Sequence, residues 1–431
     1  MGIPEPSSDL SRLREEILRL RRSVEELSTL NELAHAIGAS LDSQEIVRKI
    51  IRTSVRSVGG EQGVITLLDR VAPDLGVTLA RTTIGENRHG QYHLGQNIVG
   101  WMQINKKPLL SNTLTSDARF SSEWRDSDVK SILCVPLMVR SELTGVLSIY
   151  NKNEARGFTE DDQRLLSIVA GQSAQIIENA RLYESQQEML RMREEMRVAA
   201  KIQKNLLPQA SPEFIGYDIA GLNQPAQTVG GDYYDFIPID AGRIGICLAD
   251  VSGKGVPASL LMANIQATMR SQLLVDPQPA VTLTRANILL LKSTGPETFA
   301  TMFFCVLDNS SHAITYASAG HDHPFHVRAN APIQRITEGG VPLGLFDNFQ
   351  YSQHQVELGP GDIIVISSDG ITEAFNEQGE MFGEEQVEEI LLKDVSGSAE
   401  ETLHRIFAAV KRFVGNTPQS DDMTLVVVKR I

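Results

Sequence analysis

Between residues 181 and 207 the chain reads RLYESQQEMLRMREEMRVAAKIQKNLL, and neither glycine nor proline interrupts it before Pro208. Every residue type in that run tolerates a helix, and no breaker offers a way out of one. Leu182, Met189, Met192, Met196, Ala199 and Leu206 approximate a heptad, with Gln203 at one seam position. The segment is therefore expected to be a stiff helical connector, coiled-coil in character, able to pass a twist or register shift. A rod of that kind separates the residues on its N-terminal side from those on its C-terminal side. The 431 residues accordingly suit two or three domains rather than one.

The N-terminal 1–34 carries a second heptad. Leu10, Leu13, Ile17, Leu20, Val24 and Leu27 alternate steps of three and four, charged residues fill the flanks, and Asn31 continues the register. The stripe is too narrow for a helix packed on its own domain, so it is expected to be a coiled-coil helix that makes the protein a homodimer. The net charge of −14 argues against nonspecific nucleic-acid binding. No apolar run approaches the roughly 20 residues that span a bilayer, and no secretory leader is visible. Cys134, Cys247 and Cys305 all sit inside apolar stretches, as small core residues do, and not in a disulfide framework. The expected location is the cytoplasm.

Residues 35–180 mix short apolar runs, such as GVITLLD at 63–69 and SILCVPLMV at 131–139, with polar segments and a final helix from Thr159. Asn151, Lys152, Phe158, Thr159, Asp162, Leu165, Ala170, Gln172 and the run IIENARLYE at 176–184 resemble a GAF domain. The resemblance implies an antiparallel sheet with helices, acting as a sensor for an unidentified ligand or partner. Some cyclic-nucleotide-binding members carry an Asn-Lys-Phe-Asp-Glu signature. Here Gln163 stands where the Glu would be. The same residues also suit a purely structural task, holding the last strand to the last helix.

Residues 208–431 alternate strand-like runs (RIGICLAD, FATMFFCVLD, AITYASA, DIIVISSDG, MTLVVVKRI) with two helical stretches, an α+β pattern built on an antiparallel sheet or sandwich. The acids fall at the ends of these runs. Asp250 closes one strand, Asp369 comes just after another, Asp422 precedes a third, and Asp232 lies in VGGDYYDF. Antiparallel neighbours set the end of one strand beside the start of the next, so the carboxylates of Asp250, Asp369 and Asp422 are expected to meet at one sheet edge. Like charges so close raise each other's pKa, and hard divalent cations relieve the repulsion. Two such ions about 3.5–4 Å apart suit water attack at phosphorus.

VGGDYYDF, LADVSGKGVPASLLMA, SAGHDHP, GVPLGLF, SSDGITEAFN and SDDMTLVVVK, in that order, resemble a metal-dependent phosphatase of the PPM superfamily, in its bacterial SpoIIE/RsbU-type serine phosphatase branch. AAKIQKNLLP at 199–208 resembles the entry to that domain. The resemblance implies a PPM-type α/β sandwich. It also implies two Mn²⁺ or Mg²⁺ ions bridged by Asp250, with the backbone carbonyl of Val251 beside it. Asp369 and Asp422 would complete one shell and Asp232 would serve the second. The substrate implied is a phosphoserine or phosphothreonine protein, of the anti-sigma factor antagonist type in partner-switching systems. No arginine stands in NQPAQTVGGD to hold phosphate, which leaves Lys254 as a candidate. The histidines of SAGHDHPFH are read as structural, as are Asp235 and Asp421 in their turns. The expected divisions are 1–34, 35–180, 181–207 and 208–431. The competing expectation is a catalytically silent scaffold that binds a partner protein, or a purely structural cation site.

Overall fold

The computed structural model describes residues 43–68, 76–83, 96–114, 117, 128–295, 298–328 and 331–431, together with positions 16, 17 and 24. The expected N-terminal coil over 1–34 lies outside the described residues apart from those three positions. The chain divides into two compact units, Met1–Arg191 and Met192–Ile431.

The first unit holds helix α1 (Ser43–Val58), strands β1 (Gly60–Leu68) and β2 (Gly76–Thr83), helix α2 (Gln96–Asn105), strands β3 (Leu109–Ser111), β4 (Ile132–Val139) and β5 (Glu142–Lys152), and the start of helix α3 (Glu160–Leu206). The strands form one antiparallel sheet in the order β2-β1-β5-β4-β3. Side chains alternate across it, as strand geometry requires. Ile65, Leu67, Leu147 and Ile149 face α1 and α3, while Val64, Cys134, Val146 and Tyr150 face Ile98 and Met102 of α2.

Helix α3 begins in a reciprocal cap. Thr159 Oγ1 accepts from Asp162 N (3.2 Å), and Asp162 Oδ2 accepts from Thr159 N (2.8 Å). The same carboxylate takes both of its charge-assisted bonds from Lys152 Nζ, at 2.9 and 3.0 Å. Asn151, held at φ 51°, accepts from Lys130 N and donates to Glu61. The Asn-Lys-Phe-Asp residues thus bind strand to helix, the structural task read for them. The helix then runs unbroken to Leu206, so the expected connector is a continuation of the domain's last helix.

The second unit is a four-layer sandwich. Its strands are β6 (Tyr217–Gln224), β7 (Tyr233–Pro238), β8 (Arg243–Val251), β9 (Ala300–Asp308), β10 (Ala313–Ala319), β11 (Phe325–Val327), β12 (Gln334–Arg335), β13 (His354–Glu357), β14 (Ile363–Ser367) and β15 (Met423–Arg430). Between them stand helices α4 (Val256–Leu273), α5 (Pro279–Ser293), α6 (Asp369–Thr372), α7 (Glu384–Lys393) and α8 (Ala399–Val414). Two antiparallel sheets result, β13-β10-β9-β8-β7 and β12-β11-β14-β15-β6. Strand β8 shows why they stack. Ile244, Ile246 and Leu248 point into the space between the sheets, against Ile364, Ile366, Val426 and Val428. Cys247, Ala249 and Val251 point the other way, under α4 and α5. Helices α7 and α8 cover the outer face of the second sheet. Each large side chain so buried contributes about 1.5–3 kcal/mol relative to exposure.

The cysteines are free and buried, and burial pushes the Cys134 and Cys305 thiols up to about 12. Among the described residues, no helix is long and apolar enough to cross a membrane.

Candidate active site

Strand pairing sets the acids. Tyr233 lies opposite Ala249 in the β7–β8 ladder, which puts Asp232 across from Asp250. Ser367 lies opposite Leu425 in the β14–β15 ladder, which puts Asp369 and Asp422 at the same end of the second sheet. The expectation of a single sheet edge is thereby corrected. Each sheet supplies one pair, and the site spans the open end of the sandwich. It could not be read otherwise from the chain, because the assignment of strands to two sheets is a tertiary fact.

Asp232 is buried, and its carboxyl titrates well above the usual range. Burial is the main cause and the Asp250 charge the next, with the Thr424 and Ser368 hydroxyls pulling the other way. Thr424 Oγ1 donates to Asp232 Oδ2 in a short bond, while Asp232 Oδ1 is buried with no hydrogen-bond partner. Burial, and then the charges of Asp369 and Asp421, raise Asp250 to about 7. Asp369 rises to about 6 by burial, with Asp421, Glu373 and Asp322 adding to it. Asp422 is differently placed. Its carboxylate accepts backbone N–H bonds from Ala226 (2.7 Å), Gly231 (2.6 Å) and Asp232 (3.3 Å), so it anchors the loop that carries Asp232. Close approach explains two glycines. A Cβ at Gly230 would overlap the Asp422 carboxylate, and one at Gly370 would overlap the Asp422 carbonyl. The carbonyl of Val251 faces the same loop, 3.0 Å from where a Cβ on Gly231 would stand.

An unpartnered buried carboxylate oxygen beside acids that repel one another is the donor set a hard divalent cation neutralises. The residues present therefore fit Mn²⁺ or Mg²⁺. Among the described residues no three His, Cys, Asp or Glu side chains are already closed around one point as ligands. Asp422 and Asp232 are turned toward their own hydrogen bonds.

Other singled-out residues separate clearly. Lys254 bridges Asp421 (2.9 Å) and the Ser420 carbonyl (2.6 Å), at the rim of the cluster. Asp421 is thus a fifth acid bordering the site. Asp235 is no turn residue. It lies buried in β7, accepts from Tyr233 OH (2.8 Å), and is paired with Arg270 of α4 at 2.7 and 3.1 Å. The histidines diverge. His321 is buried against Thr301 and pushed down to about 4 by burial, His326 meets Asp362, and His323 is exposed. Sequence reasoning missed Ser368, Thr424, Arg270 and the role of Gln203. Thr424 stands two residues from Asp422, which on a strand means the same face, and that spacing is visible in the chain. Gln203 has no such signal. Its amide donates to the Gly230 carbonyl (2.6 Å) and accepts from Gly230 N–H (3.0 Å).

Comparisons with known proteins find relatives of both parts of the chain. The family described as Stage II sporulation protein E (SpoIIE) matches residues 240–431, and the GAF domain family matches 40–178. The phosphoserine phosphatase RsbU of Bacillus subtilis is 31% identical over 267 residues, which is 62% of this chain and 78% of that protein. Protein IcfG of Synechocystis is 26% identical over 264 residues, 55% of this chain and 41% of that one. The solved SiaA-PP2C domain of Pseudomonas aeruginosa covers 57% of this chain and 98% of its own, with a TM-score of 0.51 and 22% identity. At that identity the likeness is one of fold.

Proposed function

The chain belongs to the SpoIIE/RsbU family of PPM-type serine phosphatases, and from that premise we propose that it removes phosphate from a phosphoserine or phosphothreonine protein at the Asp232–Asp250–Asp369–Asp422 cluster. It is a metal-dependent phosphoric monoester hydrolase of that family. The observation that carries the assignment of the site is the meeting of two acids from each sheet, with burial and mutual charge raising Asp232, Asp250 and Asp369 together.

In this reading Asp250 and the Val251 carbonyl would serve both of two Mn²⁺ or Mg²⁺ ions, Asp369 and Asp422 would serve one of them, and Asp232 would serve the other. When bound, the ions supply a Lewis acid and lower the pKa of water. The chain's own residues do the rest. Asp422 fixes the 226–232 loop through three amides, and Thr424 occupies one oxygen of Asp232 while the other has no hydrogen-bond partner. Lys254 offers a positive charge at the rim for a phosphate oxygen, in a loop without arginine.

The relatives named phosphoserine phosphatase favour a phosphoserine protein as substrate, and the family resemblance extends the proposal to one of the anti-sigma factor antagonist type in a partner-switching system. The GAF domain receives an unidentified signal, and the connector biases the catalytic domain of a cytoplasmic homodimer. The divisions 1–34, 35–180, 181–207 and 208–431 are kept as part of the same proposal. The test is phosphate release from phosphorylated antagonist homologues by the full chain with Mn²⁺ and after chelation. Release that depends on Mn²⁺ and falls by about 10²-fold or more in Asp369→Asn is expected. Unchanged release in that variant sinks the site assignment.

A further inference from the structure

Beside the acid cluster, on the second unit, lies a groove of about 340 Å³ between α8, Phe375 and the 415–420 loop. Gly370 and Ser420 line it, so it opens within one or two residues of Asp369 and Asp421. Its walls are mainly apolar, with Phe375, Phe407, Ala408, Val414 and Pro418 among them, and Gln224, Thr417 and Gln419 add polar groups. Phe375 is 38% exposed although it carries an apolar ring, which a groove without an occupant leaves uncompensated. The only ionisable side chains that line it among the described residues are His404 and Lys411, and none is acidic. In a chain of net charge −14, a groove with a cation and no carboxylate is a local exception.

From this charge pattern and its continuity with the acids, we infer that the groove docks the segment of the substrate protein that flanks its phosphorylated residue, a segment pairing an apolar side chain with an acidic one. The inference rests on the phosphatase reading of the neighbouring cluster. The apolar side chain fills the pocket under Phe375 and Phe407. The acidic one meets Lys411 on the exposed face of α8. The phosphate then reaches the carboxylate end of the sandwich, past Gly370 and Ser420. A cluster of acids repels an acidic segment, so a mainly apolar groove that carries Lys411 beside it supplies what the catalytic centre lacks for recognising a protein.

The full chain is assayed with Mn²⁺ on three substrates. These are p-nitrophenyl phosphate, a phosphoserine peptide with Leu and Glu beside the phosphoserine, and the same peptide with Lys in place of Glu. Wild type is expected to prefer the Glu peptide by about fivefold in kcat/KM, the scale of a partly exposed charge pair. Lys411→Glu is expected to invert that preference. Ala408→Trp, which fills the groove, is expected to lower kcat/KM for both peptides by about tenfold or more, the scale of one buried apolar side chain. Turnover of p-nitrophenyl phosphate stays within about twofold throughout if only docking has changed. Peptide preference unaltered in both variants overturns the docking inference and leaves the phosphatase reading intact. Equal loss on all three substrates, with an unchanged melting temperature, also overturns it, because the groove then belongs to the catalytic machinery. A changed sedimentation coefficient in either variant overturns it in favour of a second copy of the chain as occupant. Wild type inactive on every substrate removes the phosphatase reading and the inference with it.

Discussion

Asp250 carries a conflict between folding and chemistry. Its carboxyl titrates near 7 in the folded chain, against a usual 3.8. The folded, metal-free protein therefore holds a proton that the unfolded chain has lost. Stability from this group is full below pH about 4, declines between about pH 4 and pH 7 and levels off above that, by on the order of 4 kcal/mol. Asp250→Asn removes the slope. That variant should melt several degrees higher than wild type at pH 8 without metal, while phosphate release falls by about 10²-fold or more. Added Mn²⁺ should raise the wild-type melting temperature at pH 8 and leave that of the variant almost unmoved. Thermal scans at pH 5 and pH 8, with and without Mn²⁺, decide it, and a metal-free wild type steadier at pH 8 would sink the account. Gly370 presents the steric counterpart. Its missing side chain makes room for the Asp422 carbonyl, so Gly370→Ala should destabilise by about 2 kcal/mol or more and cut turnover with it. Urea titration together with phosphate release checks both halves.

At the scale of elements, the end of α3 is tied to the Asp232 loop through Gln203. Gln203 satisfies both backbone groups of Gly230, and Gly230 leads directly into Gly231 and Asp232. Gln203→Leu keeps the helix but leaves a backbone N–H and C=O unpaired. The expected result is a fall in turnover of about tenfold and a raised Mn²⁺ requirement, because a small misplacement of Asp232 is costly. Metal titration of phosphate release measures it, and an unchanged requirement would return Gln203 to the role of spacer. The same elements show what the chain makes legible. Strands β8, β14 and β15 can be read because each is a dense apolar run bounded by Asp or Gly. The acids can be read as a group because they all stand at such ends. The division of those strands between two sheets cannot, since either partner satisfies an antiparallel ladder. Asp235 reads as a turn residue because Arg270, which neutralises it, lies 35 positions away. Gln203 is legible only as a heptad seam, and its partner belongs to a glycine loop with no periodicity.

At the scale of the molecule, the exposed apolar side chains of α3 remain to be covered. Leu182, Met189 and Met192 are 56%, 51% and 55% exposed, on the stripe that the heptad predicts. A second copy of the chain is the proposed cover. Paired substitutions Leu182→Glu and Met189→Glu should shift the full chain from dimer to monomer in sedimentation equilibrium at micromolar concentration. A wild type that sediments as a monomer would remove the homodimer and the connector's part in signalling. Covering that stripe is also a condition for solubility, because contiguous apolar surface of this kind promotes association.

Asp422 grips the amides of a loop placed 191 residues earlier in the chain. During synthesis that loop leaves the ribosome long before its anchor has been translated. Until β15 stands between β6 and β14, the 226–232 loop lacks its Asp422 anchor and Asp232 lacks the Thr424 hydroxyl. On the proposed site, a chain lacking β15 is therefore expected to release no phosphate.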